Sequence, residues 1–282
     1  MELSFAQPAP ELSRYISAYY HVRVKYPLIE DFERADVGYL RLMFSGSGHY
    51  EYPGGHHDPD CPVMLLGPAT TTARYSIAGP LMSFGCVLLP EFWGGIVDAS
   101  ATDFANRALD GAPSLGPGAL DLFAAMKGIG AERKGPPDIE HMGKMMDAFL
   151  IPKITPLPDD HRQIVETIGG WLSCLPIPTP DVLYAACDLG ARQIMRLSNR
   201  YYGAPPKMLA RKFRALRTAS RIIGTKGPVP AELDAEYADR AHMIREIKQF
   251  TGMTPRNLQI NSSPIMQVTL HPDNFRAEAP WT

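Results

Sequence analysis

Cysteine is scarce, with four among 282 residues, and no two of them form a Cys-x-x-Cys pair. That spacing argues against a zinc knuckle or a dithiol redox motif and fits reduced, mostly buried thiols at Cys61, Cys86, Cys174 and Cys187. Long apolar runs are also missing. None approaches the roughly 20 residues a bilayer span requires, so no membrane segment is expected. The opening MELSFAQPAPELSRY carries an early acid and no basic region ahead of an apolar stretch, so no secretory signal is expected and the chain is expected to remain cytoplasmic. No repeat of solenoid length is visible. What remains is an ordinary globular composition, 45% apolar and 21% charged, in a chain long enough for two domains.

The absence that says most is local. Between Asp188 and Glu232 there is no acid, yet Arg192, Arg196, Arg200, Lys207, Arg211, Lys212, Arg214, Arg217, Arg221 and Lys226 all fall there. A solvated helical face usually interleaves acids at i+4, so this stretch reads as a footprint for a polyanion. The halves differ in sign: residues 159–260 carry 15 basic against 10 acidic side chains, and residues 1–158 carry 12 against 18.

Along the chain, GYLRLMF, PVMLLG, ARYSI and MSFGCVLL read as short strands, separated by SGSG, PGGHHDPD and AGP as turns. They predict a β-rich domain, a barrel or jelly roll. Two helices, LDLFAAMKGI and IEHMGKMMDAFL, follow, interrupted by ERKGPPD. The proline-rich PKITPLP marks a linker. Beyond it DDHRQIVETIGGWLSCL has the apolar spacing of a supporting helix. Thr179-Pro180-Asp181 is a helix start, with Thr as N-cap and Pro at the first position. That helix runs to about Asp188, Leu189-Gly190-Ala191 makes the turn, and RQIMRLSNRYY follows until Gly203 stops it. Helix, short turn, helix is a helix-turn-helix.

In such a unit the second helix enters the major groove by its N-terminal residues. Ile194 and Leu197 are expected to pack on Leu183 and Ala186, leaving Arg192, Met195, Arg196 and Asn199 outward. Arg192 and Arg196 suit guanine edges, although phosphate is open to the same side chains, and Met195 either touches a thymine methyl or is spare. A long helix, PPKMLARKFRALRTASRII, comes next. After GTKGPVP the plan repeats: AELDAE as a first helix, Tyr237-Ala238 as turn, Asp239 as N-cap and RAHMIREIKQFTG as second helix. There Met243, Ile247 and Phe250 face inward, Arg240, His242 and Arg245 face outward, and Lys248 reaches phosphate.

The segments LGARQIMRLSNRYYGAPPKMLARKFRALRTA and YADRAHMIREIKQFTGMTP resemble the DNA-binding domain of the AraC/XylS family of bacterial regulators. The resemblance implies an α+β chain: an N-terminal effector-binding and dimerisation domain over 1–150, a linker over 151–158, a DNA-binding domain over 159–260 and a tail over 261–282. It further implies seven helices, two helix-turn-helix units joined by a long helix, asymmetric half-sites in double-stranded operator DNA, and control through RNA polymerase. Positions matching the family's base readers are Arg192, Met195, Arg196, Arg240, His242 and Arg245; Arg200, Lys207, Arg211 and Lys248 are the expected phosphate contacts. Asp188 and Glu236 stand where the family usually has glycine, and Ser198 where it usually has an aromatic.

The stretch LLGPATTTARYSIAGPLMSFGCVLLPEFWGG resembles N-terminal domains of uncharacterised members and names no ligand. Tyr39, Tyr50, Tyr52, Tyr75 and Trp93 are candidates to line an apolar effector pocket or to pack an ordinary core. His49, His56, His57 and Asp58 lie in a Gly/Pro loop without paired ligand spacing, so no metal is expected there, and no cofactor elsewhere. Met142, Met145, Met146 and Phe149 form a stripe that suits a homodimer partner. An enzyme is not expected; the alternative from that class is a DNA-modifying or repair protein, which requires an activated cysteine.

Overall fold

The computed structural model describes residues 1–132, 138–223 and 236–271, together with 225, 227, 229, 230 and 233. The chain is an α+β protein with an N-terminal antiparallel sheet and a C-terminal helical region. The strands are β1 (Glu2–Ala6), β2 (Ile16–Val24), β3 (Leu28–Glu33), β4 (Gly38–Tyr52), β5 (His56–Pro59), β6 (Val63–Leu66), β7 (Ala73–Leu88) and β8 (Ala108–Asp110). They run in the order β1-β2-β7-β4-β6-β8, with β3 on β7 and β5 on β4.

β4 and β7 are the long axis of the sheet, and the expected turns at SGSG and AGP lie inside them. Here the structure corrects the sequence reading. β7 gives residues 73–78 to β3 and residues 81–88 to β2, so it passes from one group of neighbours to another at Gly79-Pro80. Opposite this point the β4 register shifts between Met43 and Ser45 and again before Ser47. Gly46 sits at φ +90, and a Cβ on Gly48 would lie 1.9 Å from the Ser76 carbonyl oxygen. Glycine lets the strands bend and touch there, and the same residue chemistry in a sequence reads equally well as a hairpin turn.

Alternation then assigns each face. Leu40, Leu42 and Phe44 of β4, with Tyr19 and Phe84, face one core. Tyr39 and Met43 face the other, and Arg41 lies between them in sequence on that same face. The first core is closed by α1 (Glu91–Gly95), α2 (Ala101–Phe104), α3 (Ala112–Leu115), α4 (Ala119–Glu132) and α5 (Ile139–Leu150). Asp138 caps α5 by accepting the His141 N–H at 3.1 Å. Met142 and Met146 are fully buried, and Met145 and Phe149 pack beside them in this core. The stripe that suggested a dimer partner is therefore spent within the chain.

Residues 151–158 form a strap along the surface, with the Thr155 N–H on the Gly95 carbonyl at 2.8 Å and Leu157 buried. After it come α6 (Asp159–Ser173), α7 (Pro180–Ala185), α8 (Ala191–Tyr202), α9 (Pro206–Ile222), α10 (Arg240–Thr251), α11 (Pro255–Ile260) and α12 (Pro264–Leu270). The helix expected over 231–236 lies, apart from Leu233 and Glu236, outside the described residues. α12 falls where the sequence reading leaves a tail. Met266 and Leu270 are buried, and the Ser220 hydroxyl donates to the Leu270 carbonyl at 2.8 Å. One core cluster runs from the second face of the sheet into these helices, so the two halves share a hydrophobic interior.

Candidate DNA-binding surface and ligand cavity

The first unit is α7, a turn and α8. Leu183, Ile194 and Leu197 are buried together, whereas Ala186, expected in that contact, is exposed. α7 ends three residues sooner than the sequence suggests, which lengthens the turn before the Gly190 cap. Asp188 is not among the left-handed non-glycine residues, which are Asp98 and Asn106 among the described residues, so its turn does not demand glycine. Gly203, at φ 72, closes α8 with its N–H on the Asn199 carbonyl at 3.0 Å. Ser198 is buried and donates to the Ala204 carbonyl at 2.6 Å, so it fastens the end of the helix where an aromatic would fill space. Arg192, Gln193, Met195 and Arg196 stand exposed at the N-terminal half of α8.

The second unit centres on α10. Asp239 accepts the His242 N–H at 2.6 Å, and Met243, Ile247 and Phe250 are fully buried. Arg240, Arg245 and Lys248 are exposed. His242 differs from these: its ring reaches one turn onward along the helix to Glu246, Nε2 to Oε1 3.1 Å, and sits edge-on to Tyr237.

Glu246, buried on α10, gathers the second unit. It accepts Arg211 Nε and Arg214 Nη2 of α9 at 2.6 Å each, and Arg211 also donates to Gln249 at 3.1 Å. Burial alone would raise the Glu246 carboxyl; the two guanidinium groups outweigh it and hold the pKa below the ordinary value. Much of the basic stretch is accounted for in this way. Arg200 pairs with Asp98 at 3.6 Å, Arg217 donates to the Cys174 carbonyl at 3.0 Å, and Lys212 donates to the carbonyls of Asp36 and Ala69 at 3.0 and 3.2 Å. The partners lie far off in sequence, so the acid-free run looked unpaired. Arg192, Arg196, Lys207 and Arg221 are exposed; of the other residues expected on phosphate, Arg200 lies at the surface beside the exposed Asp98, and Arg211 is engaged by the buried Glu246.

A cavity of about 90 Å³ opens on the second face of the sheet. Its walls are apolar: Leu3, Phe5, Val22, Met43, Ile77 and Leu81 from the strands, closed by Ile265, Met266 and Val268 of α12. Tyr39, Tyr50 and Tyr75 line it as one of the sequence alternatives has it; Tyr52 and Trp93 do not. At the polar end Arg41 donates from Nη1 and Nη2 to the two Glu33 oxygens at 2.7 and 3.0 Å, from Nε to Tyr20 Oη at 2.8 Å, and from Nη1 to Tyr50 Oη at 2.7 Å. Arg41 also lies 4.9 Å from the centroid of the Tyr39 ring. Burial pushes the Tyr50 phenol up to about 12 against the opposing pull of Arg41, so both groups hold their protons across the physiological range. Arg34, another lining residue, is ion-paired to the buried Asp36. Sequence reasoning missed Arg41 and Glu33. The cue available was a lone arginine amid the apolar alternation of GYLRLMF.

The other candidates resolve into structure. Asp58 accepts from Arg107 Nε and Nη2, from the Ala108 N–H at 2.8 Å and against His56 Nε2 at 2.9 Å, and so pins β5 beside β8. Burial pushes the Cys61 thiol up to about 11 and raises Cys86 and Cys187 as well. A repair nucleophile needs the opposite shift. Among the described residues no helix is long and apolar enough to cross a membrane.

No family model matches this chain, and no curated protein matches its sequence. Solved structures do match. A lysine-to-alanine variant of apo ToxT from Vibrio cholerae aligns over 85% of this chain and 96% of its own, with 10% identity and a TM-score of 0.50. ToxT from strain O395 aligns over 86% and 97%, with 9% identity and a TM-score of 0.47. ToxT with an unsaturated fatty acid bound gives 87% and 95%, with 9% identity and a TM-score of 0.47. The first of these likenesses places both halves of this chain, sheet and helices, in one shared fold.

Proposed function

We propose that this chain is a sequence-specific DNA-binding regulator of transcription, of the AraC/XylS kind, that answers to a small molecule held in the cavity of its N-terminal sheet. One observation carries the reading. Two helices, α8 and α10, each present an exposed basic N-terminal half from a buried apolar base, and the 17-residue α9 joins them into one body. Arg192, Met195 and Arg196 read bases from α8; Arg240 and Arg245 read them from α10, with His242 oriented by Glu246 behind them. Lys207 and Lys248 are the phosphate contacts, and RNA polymerase is the downstream partner. The protein acts by binding and not by catalysis.

Selection of bound fragments from genomic DNA, followed by Arg196→Ala and Arg245→Ala, tests the proposal. Each substitution is expected to relax preference at one or two base positions by about 1–3 kcal/mol, in different halves of the site. Binding is expected to fall steeply with salt. A chain that retains no preferred fragment at moderate salt is not such a regulator.

A further inference from the structure

The polar end of the cavity has its charges already matched. Both oxygens of Glu33 are engaged by Arg41, and the second arginine of the lining, Arg34, is paired with Asp36. Four of the five guanidinium hydrogens of Arg41 are taken by Glu33, Tyr20 and Tyr50. Tyr20 and Tyr50 accept from Arg41, so each keeps a hydroxyl proton to donate. Such an end lacks net charge and is rich in donors.

We infer that the cavity takes an uncharged amphipathic molecule, a ketone or alcohol on a short apolar body, whose oxygen accepts from the Tyr20–Arg41–Tyr50 cluster, and that Glu33 turns carboxylates away. The inference rests on the reading of this cavity as the effector site. An acid placed at the same point would set its carboxylate beside Glu33 and compete with it for one guanidinium, an arrangement of like charges in an apolar surround. A cation would find the only carboxylate that lines the cavity among the described residues already bound on both oxygens. Size limits the body: a water needs about 10–15 Å³ of such space, so the cavity holds roughly seven waters, the room of about ten non-hydrogen atoms.

Titration calorimetry on the full chain near neutral pH, with hexyl methyl ketone, octanol and octanoate as probes, tests the inference. The ketone and the alcohol are expected to bind at least roughly tenfold more tightly than octanoate. Glu33→Gln leaves the Arg41 charge unmatched and is expected to invert that order. Leu81→Trp, which fills the cavity, is expected to abolish ketone binding. Octanoate binding as tightly as the ketone to the unaltered protein overturns the inference, as does the absence of ketone binding or its survival in Leu81→Trp; none of these depends on the Glu33 variant folding. The same preparation is carried through selection of DNA sites. A chain that selects a site and fails the probe test remains a regulator without this ligand class; one that binds the ketone and selects no site has the cavity chemistry without the regulatory role.

Discussion

Lys212 leaves α9 toward the sheet and not toward water. It is 2% exposed, and its ammonium meets two backbone carbonyls, with Asp36 in favour of its charge and Arg34 against it. Burial brings its pKa from 10.5 down to about 8. In the unfolded chain the group keeps its proton up to the ordinary value, so between these two pH values the unfolded state binds more protons and raising the pH stabilises the fold. Below about pH 8 both states are protonated and the cost of burying the charge is present in full. Lys212→Met removes the titration. The stability of the unaltered protein relative to Lys212→Met is therefore expected to rise between pH 8 and 10.5, by a few kcal/mol at most, in denaturant melts of both proteins. A difference that stays flat across the window shows that Lys212 titrates as an exposed lysine does.

At the scale of elements, one buried carboxylate of α10 gathers two arginines of α9 and so fixes how these packed helices meet. Removing one partner of a buried pair costs about 3–5 kcal/mol, and here the arginines keep 34% and 24% of their side-chain surface in water, which lowers the figure for Glu246→Gln to about 2 kcal/mol. With Arg211 and Arg214 repelling each other, α10 loses its fixed angle. The variant is expected to melt at a lower temperature and to lose base preference in the half-site of Arg245, while the half-site of Arg196 keeps its own. Equal loss in both halves would mean that Glu246 supports the whole fold and not the second unit. The legibility of these elements follows the range of the forces that make them. Gly203 and Gly252 as stops, Asp239 as a cap, and Ile194, Leu197, Met243 and Ile247 at helical spacing are local, and the sequence displays them. The Arg211–Glu246 and Arg41–Tyr20 contacts join residues 35 and 21 positions apart, so only the tertiary structure brings them together. β7 reads as two strands in sequence because a Gly-Pro bend inside a strand and a hairpin turn use the same residues. α12 is not legible because its seven residues are too few to establish a period.

Across the whole molecule, the cavity, α9 and α10 converge on one short segment. Arg34 lines the cavity, the Ala35 N–H donates to the Phe250 carbonyl of α10 at 2.7 Å, and the Asp36 carbonyl receives Lys212 of α9. α8 is held separately, by the Thr102 hydroxyl on the Asn199 carbonyl at 2.8 Å. On the open side the wall is α12, fastened to the sheet by the Ser263 hydroxyl on the Asp31 carboxylate and to α9 through Leu270. A ligand in the cavity thus touches the sheet and α12, which is itself fastened to α9, and on the proposed reading occupancy is expected to bias how the sheet and the helices dock. Coupling of this kind is reciprocal, so an operator duplex is expected to change the affinity for hexyl methyl ketone by the same several-fold factor with which the ketone changes the affinity for the duplex. Ser263→Ala removes both the tie of α12 to Asp31 and the cap that Ser263 gives the Met266 N–H at 3.0 Å, and leaves Arg41, Glu33 and the proposed base readers in place. Calorimetry with and without the duplex is expected to show the duplex affinity retained, the ketone affinity lowered as its α12 wall loosens, and the factor between them reduced toward one. A factor unchanged in this variant would place the coupling in the segment 34–36, where Lys212→Met is the variant expected to abolish it.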